Sequence, residues 1–401
     1  MTKGTFVKVG DICSTISETY KRKDETVFLV NTSDVLDGYF LQLKEAKNEK
    51  LKGQFKKTFK KDDILFSEIR PANRRFAYVD FDDTHNYVAS TKLMVLRANS
   101  DVVLPKYLFY FLTSKNVLVL LQHLAETRSG TFPQITFSTE IAPLEMFLPE
   151  MDQQRKIVGY LDAVNKKIKN NDKLIAILFL QMDLMLRRTL SNSETRVGFF
   201  EELISDTLNG DWGKDQPTGN FTKEVYCVRG ADIEDVRIGR KGKMPTRFIL
   251  PKNYDAKKIS PLDIVVEISG GSPTQSTGRA AIFTENLIQR FDKPLVSTNF
   301  CKVFKPINGF SYFVFLYWNQ LYNKEKFFLY ENGTTGIKNL DIKSIISKEE
   351  ILIPSLSSLK ELNSFCKMAF SKIAISSNEN ERLQSIVEDA VVGILNSTLR
   401  V

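Results

Sequence analysis

A long apolar seam constrains the fold of this chain more than any other feature. Between residues 150 and 190, apolar side chains recur at alternating spacings of four and three residues. The seam positions are Ile157, Leu161, Val164, Ile168, Asn171, Ile175 and Leu178. A 3.5-residue repeat stays on one side of a helix only if that helix supercoils around a partner. The pattern therefore predicts a helix that needs a second helix.

The last segment of the chain supplies a matching seam. It includes Ile373, Ser376, Leu383, Val387 and Ile394. Each position lies 205 residues after a position of the first seam, which continues through Met182 and Thr189. Two unrelated amphipathic helices could each show core periodicity. A constant offset near half the chain length instead indicates a duplicated unit, a globular domain followed by a long helix. The second helix is then expected to pack back on the first.

We therefore expect an α+β fold with a pseudo-twofold internal repeat. Two mixed α/β globular domains would be separated by two long helices that form an antiparallel coiled coil. A chain of 401 residues is long enough for two such domains. The expected boundaries are 1–149 and 191–354 for the globular domains, with spacer helices at 150–190 and 355–401.

Composition narrows the possible partners and the compartment. No apolar run reaches the roughly 18 residues of a membrane span, and no signal-peptide core follows the N-terminus, so we expect a cytoplasmic protein without a membrane partner. The cysteines Cys13, Cys227, Cys301 and Cys366 lack metal-binding spacing, which predicts reduced thiols. The net charge of +8 and the pI near 9.0 suit a polyanionic partner.

Basic residues cluster at two places in the first half. Eight lysines lie between residues 44 and 61, at Lys44, Lys47, Lys50, Lys52, Lys56, Lys57, Lys60 and Lys61. They fit either a solvated loop or contacts with phosphates. Arg70, Arg74 and Arg75 surround Pro71 between two predicted strands. Arginines at a loop tip suit reading of a guanine edge or clamping of a phosphate, although surface salt bridges are the alternative.

Further along the first half, the residues from Val88 to Leu96 predict a strand and those from Pro105 to Leu121 a buried helix. Arg128 follows this helix, just before Ser129 and Gly130. We include it among the candidate DNA contacts.

The second half repeats this order with different loops. Its candidate DNA contacts are Arg237, Arg240, Lys241, Gln275 and Arg279, and the same basic cluster also contains Lys243 and Arg247. The residues from Ser269 to Arg279 superficially resemble a phosphate-binding loop but lack its Gly-Lys-Ser/Thr ending. Asp263 and Glu267 lack the lysine of a nuclease motif, so we interpret them as exposed acids on a strand.

The order of these motifs resembles the DNA specificity subunits of type I restriction-modification systems over essentially the whole chain. The resemblance rests on Asp63–Pro71, on Gly210–Lys214 and on the two helix starts. The first start is Leu148-Pro149-Glu150 with Gln153 and Gln154, and the second keeps Ile353-Pro354. No single motif is specific. Their order and duplication carry the likeness.

The resemblance implies a non-catalytic subunit that binds a split duplex DNA target. Each globular domain would be a target recognition domain, and the helices would space the domains and bind methyltransferase subunits. Two such subunits are expected, with restriction subunits bound through them. No catalytic, cofactor-binding or metal-binding residues are expected. The alternatives are a coiled-coil adaptor that binds only protein and a single-chain DNA methyltransferase or nuclease, for which the motifs are missing.

Overall fold

The structure is a computed structural model of the 401-residue chain. It describes residues 4–21, 24–41, 43–48, 53–128, 131–272, 274–333 and 338–396, the last six of these without their side chains. Lys50, Lys52, Ser129, Gly130 and the side chain of Ile394 lie outside the described part. The chain divides into two compact units. The first contains the residues up to Lys166 and those from Leu383 onward, and the second is Lys167–Arg382.

The first unit is a set of small sheets packed against short helices. Its strands are β1 (Gly4–Lys8), β2 (Cys13–Ile16), β3 (Thr26–Val30), β4 (Val35–Leu36), β5 (Tyr39–Phe40), β6 (Lys44–Lys47), β7 (Phe55–Lys57), β8 (Ile64–Ser67), β9 (Phe76–Tyr78), β10 (Tyr87–Ser90), β11 (Leu93–Ala98) and β12 (Glu145–Pro149). Its helices are α1 (Val9–Ile12), α2 (Pro105–Leu112), α3 (Lys115–Arg128) and the start of α4 (Met151–Asn192).

The second unit contains the remaining strands, which are β13 (Thr195–Gly198), β14 (Ile204–Asn209), β15 (Lys223–Val228), β16 (Thr246–Ile249), β17 (Asp263–Glu267), β18 (Ser269–Gly270), β19 (Ala280–Phe283), β20 (Leu295–Ser297), β21 (Cys301–Pro306), β22 (Glu331–Asn332), β23 (Lys338–Leu340) and β24 (Ile351–Pro354). Its helices are α5 (Ile233–Arg237), α6 (Pro251–Lys257), α7 (Glu285–Ile288), α8 (Ser311–Asn323), α9 (Ile342–Lys348) and most of α10 (Lys360–Asn396).

The two units share one topology. The first has a four-stranded antiparallel sheet in the order β2-β11-β8-β9, and the second has β14-β21-β17-β19 in the same arrangement. The pair β1 with β12 is matched by β13 with β24. Parallel pairing of β3 with β10 is matched by β15 with β20. The α+β class and the internal repeat are confirmed.

The two long helices pair antiparallel, as predicted. In the second unit Phe179 of α4 lies against Phe370 of α10, with ring centroids 6.0 Å apart. Earlier in α4, Asn171 meets Asn380, so positions rise on one helix as they fall on the other. In the first unit, Ile157 and Val387 both pack against the core that contains Leu161.

The seam is occupied by buried or half-buried side chains. The buried positions are Leu161, Val164, Asn171, Ile175, Leu178, Ile373 and Ser376, and the half-buried ones are Ile157, Ile168, Leu383 and Val387. The polar positions behave differently from each other. Asn171 donates hydrogen bonds to Asn380 and Glu379, whereas the hydroxyl of Ser376 has no hydrogen-bond partner among the described residues.

Two predicted elements of the first unit are each divided in two. The residues predicted as one strand from Val88 to Leu96 form β10 and β11, separated by Thr91 and Lys92. The predicted helix from Pro105 to Leu121 is broken after Leu112. There Ser114 accepts hydrogen bonds from Val117 N and Leu118 N and begins a new helix. Side-chain hydrogen bonding by serine competes with helix continuation, which explains the break.

The four cysteines are free thiols, as predicted. Cys13, Cys227, Cys301 and Cys366 are all buried, and burial raises the pKa of each thiol to about 12. These cysteines therefore behave as small core residues rather than as reactive groups.

Candidate nucleic-acid interface

Equivalent connections in the two units contain several of the residues predicted to touch DNA. In the first unit, residues 68–75 join β8 to β9. In the second, residues 268–279 join β17 to β19. Both connections leave buried strands whose core side chains fix the position of the loop base. The two loops are therefore held by the same part of the repeated fold.

The loop of the first unit has a fixed backbone. A short 3-10 turn spans Pro71–Asn73. Arg70 N donates to the carbonyl of Pro133 at 3.1 Å, and Asn73 N donates to the carbonyl of Arg70 at 2.8 Å. Arg70 itself has φ 46° and ψ 75°, a left-handed conformation that costs energy for any residue with a Cβ. The hydrogen bonds on both sides hold it there.

The four arginines predicted for this unit have different surroundings. Arg74 pairs with Asp37, and its guanidinium also lies over the Phe76 ring, 5.6 Å from the centroid. Arg75 donates to the carbonyl oxygens of Ser33 and Val35 at 3.2 and 3.3 Å. The guanidinium of Arg128 is 3.3 Å from the buried carboxylate of Glu140.

Arg70 differs from these three. Its side chain is exposed, and no ion pair is formed by its guanidinium within the described ranges. The connection therefore presents one unengaged guanidinium beside two arginines that hold neighbouring chain segments.

The lysine-rich segment is partly structural. The Lys57 ammonium donates to the carbonyl oxygens of Thr91 and Leu93 at 3.0 and 2.8 Å, and burial lowers its pKa. Lys61 pairs with Asp82 at 2.9 Å. In the described part of this segment, the exposed lysines other than Lys61 are Lys44, Lys47, Lys56 and Lys60. These four can contact phosphates.

The loop of the second unit is anchored at its base. Both Thr277 N and its hydroxyl donate to one oxygen of Glu331, at 2.6 and 2.7 Å. Arg279 forms a two-pronged pair with the carboxylate of Glu267, at 2.6 and 2.8 Å. At the tip, Ser272 and Gln275 exchange backbone hydrogen bonds, and the Gln275 side chain is exposed. Pro273 lies outside the described residues.

The acids of β17 are buried, so their interpretation as exposed was wrong. Asp263 and Glu267 are 5% and 3% exposed. Asp263 pairs with Lys305 at 2.8 Å, and Glu267 pairs with Arg279. A carboxylate tolerates burial when a cation and hydrogen bonds compensate for its lost hydration. The sequence interpretation failed because these cations lie far away along the chain or across a loop.

The basic residues at the end of α5 and just after it lie against the long helices. Arg237 pairs with Glu234 at 2.7 Å, and its guanidinium lies 5.1 Å from the centroid of the Phe179 ring on α4. Arg240 lies 3.4 Å from the Asp172 carboxylate, also on α4.

The chain around these arginines also reaches α10. Lys241 N donates to Glu381 of α10 at 3.2 Å, while the Lys241 side chain is exposed. At Gly239, an added Cβ would lie 3.0 Å from Ile373 of α10. These close contacts fasten the segment to both helices of the second unit.

Arg247, in the same basic cluster, is a buried support for an exposed tryptophan. It lies 4.1 Å from the centroid of the Trp212 ring and donates to the Trp212 carbonyl at 2.9 Å. It also pairs with Asp215. Trp212 is 41% exposed and was not among the predicted DNA contacts. The position of Trp212 in the Gly210–Lys214 motif was the sequence feature that could have identified it.

The described residues contain neither a metal-binding cluster nor a single helix that could span a membrane. They include no cluster of three or more His, Cys, Asp or Glu side chains that could hold a metal ion. No single helix in the described ranges is long and apolar enough to cross a membrane, although the bent pair α2 and α3 meets that test jointly by length and composition.

Comparison with solved structures identifies the fold. The structure of a type I restriction-modification system S subunit from M. genitalium aligns with a TM-score of 0.55 and 14% identity, over 98% of this chain and 96% of that chain. The HsdS subunit from Thermoanaerobacter tengcongensis aligns with a TM-score of 0.42 and 17% identity, over 99% and 97% of the two chains. The first of these shows the fold of a specificity subunit along the chain.

Sequence comparison finds a family model and a relative that match the first part of the chain. The model of the type I restriction modification DNA specificity domain matches residues 2–178. A type I restriction enzyme HindI specificity subunit from Haemophilus influenzae is 41% identical over 167 residues, which are 41% of this chain and 36% of the length of that relative. Residues 2–178 of this chain are therefore similar to the type I restriction modification DNA specificity domain.

Proposed function

We propose that this protein is the DNA sequence-specificity subunit of a type I restriction-modification complex. It would select the bound sequence and leave methylation and cleavage to its partner subunits. One observation carries the proposal. The same sheet occurs in both units, and in both it holds an anchored surface connection with an exposed side chain that can read a base edge. Two such readers suit a target with two separate parts.

The functional domains would follow the repeat. Residues 1–149 and 191–354 would be the two target recognition domains, and residues 150–190 and 355–401 the spacer helices. Each recognition domain would read one part of a split duplex DNA site. The candidate DNA contacts are those predicted from the sequence, which are Arg70, Arg74, Arg75, Arg128, Arg237, Arg240, Lys241, Gln275 and Arg279.

The surroundings of these residues suggest which of them would contact DNA and which would fix the loops. Arg70, Lys241 and Gln275 have exposed side chains and can meet DNA directly. The arginines that already bind carboxylates would contribute by fixing the loops and would reach DNA only by exchanging those partners. Exchange is costly for Arg279, since it would leave the buried carboxylate of Glu267 without its cation.

The long helices offer a surface for protein partners. In the second unit, Ile177, Leu180 and Leu184 of α4 are 51%, 59% and 55% exposed, and their spacing places them on one side of the helix. Met368 and Ile375 of α10 are 57% and 59% exposed. Large apolar side chains grouped on one face mark an interaction site. We assign the exposed apolar side chains of α4 and α10 to contacts with methyltransferase subunits, two per chain, with restriction subunits bound through them.

Because its target would be cellular or invading DNA, the protein would act in the cytoplasm. The experiment that tests the proposal combines the chain with the methyltransferase subunits of its own system. Duplex DNA retention on filters and methylome sequencing are then measured. We expect sequence-dependent retention and one methylated bipartite sequence. The methyltransferase subunits alone serve as the control, and they should methylate no defined sequence.

Each competing function predicts a different result. A coiled-coil adaptor would leave DNA retention unchanged when the chain is added. A single-chain enzyme would transfer methyl groups or cut DNA without partner subunits. Exchanging residues 1–149 for those of another family member should change only one half of the methylated sequence. A change in both halves would contradict independent recognition domains.

A further inference from the structure

The equivalent connections of the two units expose different chemical groups. In the first unit the exposed group is the guanidinium of Arg70, and in the second it is the carboxamide of Gln275. The surrounding polar side chains are engaged elsewhere. Arg74 binds Asp37 in the first loop, and Thr277 binds Glu331 in the second. Arg70 can thus reach a ligand directly, and Gln275 can do so by exchanging the 3.4 Å hydrogen bond that its Nε2 donates to the Tyr322 hydroxyl.

Both side chains are presented from a backbone that is already fixed. The amides of Arg70, Ala72, Asn73 and Arg74 donate hydrogen bonds that hold the first loop, and the Ala72 amide donates to the Gln122 carboxamide at 3.0 Å. In the second loop, the Ser272 amide donates to the Gln275 carbonyl at 2.7 Å. A fixed backbone reduces the entropy that is lost on binding. This property favours a reader of base edges, which requires defined geometry, over a loose phosphate contact.

The left-handed conformation of Arg70 supports the same conclusion. A non-glycine residue at φ 46° is strained, and such strain persists where the structure around it imposes it. Phosphate attraction needs only a charge and would not require this geometry. Orientation of a planar guanidinium toward a two-acceptor edge does require it.

We propose that Arg70 reads a guanine in the first part of the DNA target and that Gln275 reads an adenine in the second. Arginine can donate two parallel hydrogen bonds to the O6 and N7 atoms of guanine, and glutamine can pair with the N6 and N7 atoms of adenine. The inference rests on the proposed function. It adds that the two half-sites differ in the chemistry of at least one base and that one side chain in each unit is responsible.

The experiment measures methylation of a randomised DNA library by the complex of this chain with its methyltransferase subunits. Arg70→Ala should reduce the preference for guanine at one position of the first half-site by roughly 5- to 150-fold and leave the second half-site unchanged. Gln275→Ala should do the same for one adenine of the second half-site. Each variant thereby controls for the other.

Conservative variants separate base reading from other roles. Arg70→Lys keeps the charge but loses the planar fork, so the guanine preference should still fall. Gln275→Glu keeps the size but loses the donor for adenine N7. Lys60→Ala, which removes an exposed cation of the same unit, should weaken methylation of all sequences alike. Thermal unfolding of each variant should match that of the parent, because all three side chains are exposed.

The outcomes distinguish the inference from the proposed function. If Arg70→Ala weakens all sequences equally, Arg70 is a phosphate contact and the guanine assignment is overturned. Unchanged base preferences in both loop variants would overturn the inference as a whole while leaving specific DNA binding intact. If the parent complex methylates no defined sequence, the proposed function itself fails.

Discussion

The buried polar layer between the long helices gives a prediction with a definite sign. In the second unit, Asn171 donates to Asn380 and to Glu379, each at 2.8 Å, and Asn380 donates to Asp172 at 3.0 Å. Asn171 and Asn380 are 4% and 2% exposed. A polar pair at seam positions fixes the register of a helix pair and lowers its stability relative to an apolar layer.

The magnitudes follow from these contacts. Asn171→Leu removes two hydrogen bonds of about 1 kcal/mol each and leaves the Asn380 carboxamide oxygen buried without a donor, at about 1–3 kcal/mol more. The single variant should therefore lose roughly 3–5 kcal/mol of unfolding free energy. Adding Asn380→Leu removes the unsatisfied group and gives an apolar layer. The double variant should be more stable than the single one by several kcal/mol.

The assay is urea unfolding followed by tryptophan fluorescence. Both tryptophans of the chain, Trp212 and Trp318, lie in the second unit, so the signal reports the unit that contains the layer. Asn170→Leu is the matched control, because Asn170 is exposed on the same helix and its replacement should change stability by less than about 0.5 kcal/mol. If the double variant were destabilised by the sum of the two single changes, the asparagines would be independent and the reasoning would be refuted.

Three further predictions concern the same unit. Gly239→Ala should lower the free energy of unfolding in urea by about 1–3 kcal/mol more than Gly219→Ala does. Both glycines have positive φ, but only at Gly239 would the added Cβ meet α10, at 3.0 Å. Equal losses of stability in the two variants would argue against that contact. Ser376→Ala should raise the free energy of unfolding by roughly 1 kcal/mol, since the buried Ser376 hydroxyl has no partner among the described residues. Ser377→Ala should lower it, because the hydrogen bond from the Ser377 hydroxyl to the Ile238 carbonyl is lost. A Ser377→Ala variant more stable than Ser376→Ala would contradict this. The hydrogen bond from Asn171, and to a smaller extent the one from Lys167, lowers the pKa of Glu379 below its usual value of 4.5. The contribution of Glu379 to the free energy of unfolding is therefore present above that usual pKa and is lost as the pH falls through the folded-state pKa. Acid titration of stability should therefore be flatter in Asn171→Leu, and an identical slope would show that Glu379 does not contribute.

The elements that could be predicted from the sequence are those encoded by local periodicity. The seam is predictable because a 3.5-residue repeat has one physical explanation at this length, and the repeat offset identified the partner helix. The breaks inside elements, at the turn of Thr91 and at the cap formed by Ser114, were missed. Short polar runs, Ser90–Lys92 and Thr113–Asn116, interrupt the apolar pattern at both places.

The environment of the basic residues could not be predicted from the sequence. Arg128 meets Glu140 at a separation of 12 residues, Arg240 meets Asp172 at a separation of 68 residues, and only the fold brings these groups together. Clustering of arginines along the chain shows where positive charge collects. It does not show which guanidinium has a carboxylate partner, and that partner decides whether a ligand can use the group.

This distinction separates affinity from specificity in the proposed DNA complex. Arg74, Arg128, Arg237, Arg240 and Arg279 each pair with a carboxylate. A cation that keeps its carboxylate neutralises no phosphate and releases no counterion, so these arginines would add little to salt-dependent binding. Attraction to the DNA backbone then falls to exposed lysines such as Lys56 and Lys60. Discrimination between sequences falls to exposed side chains on fixed loops, Arg70 and Gln275 foremost, which no carboxylate among the described residues holds.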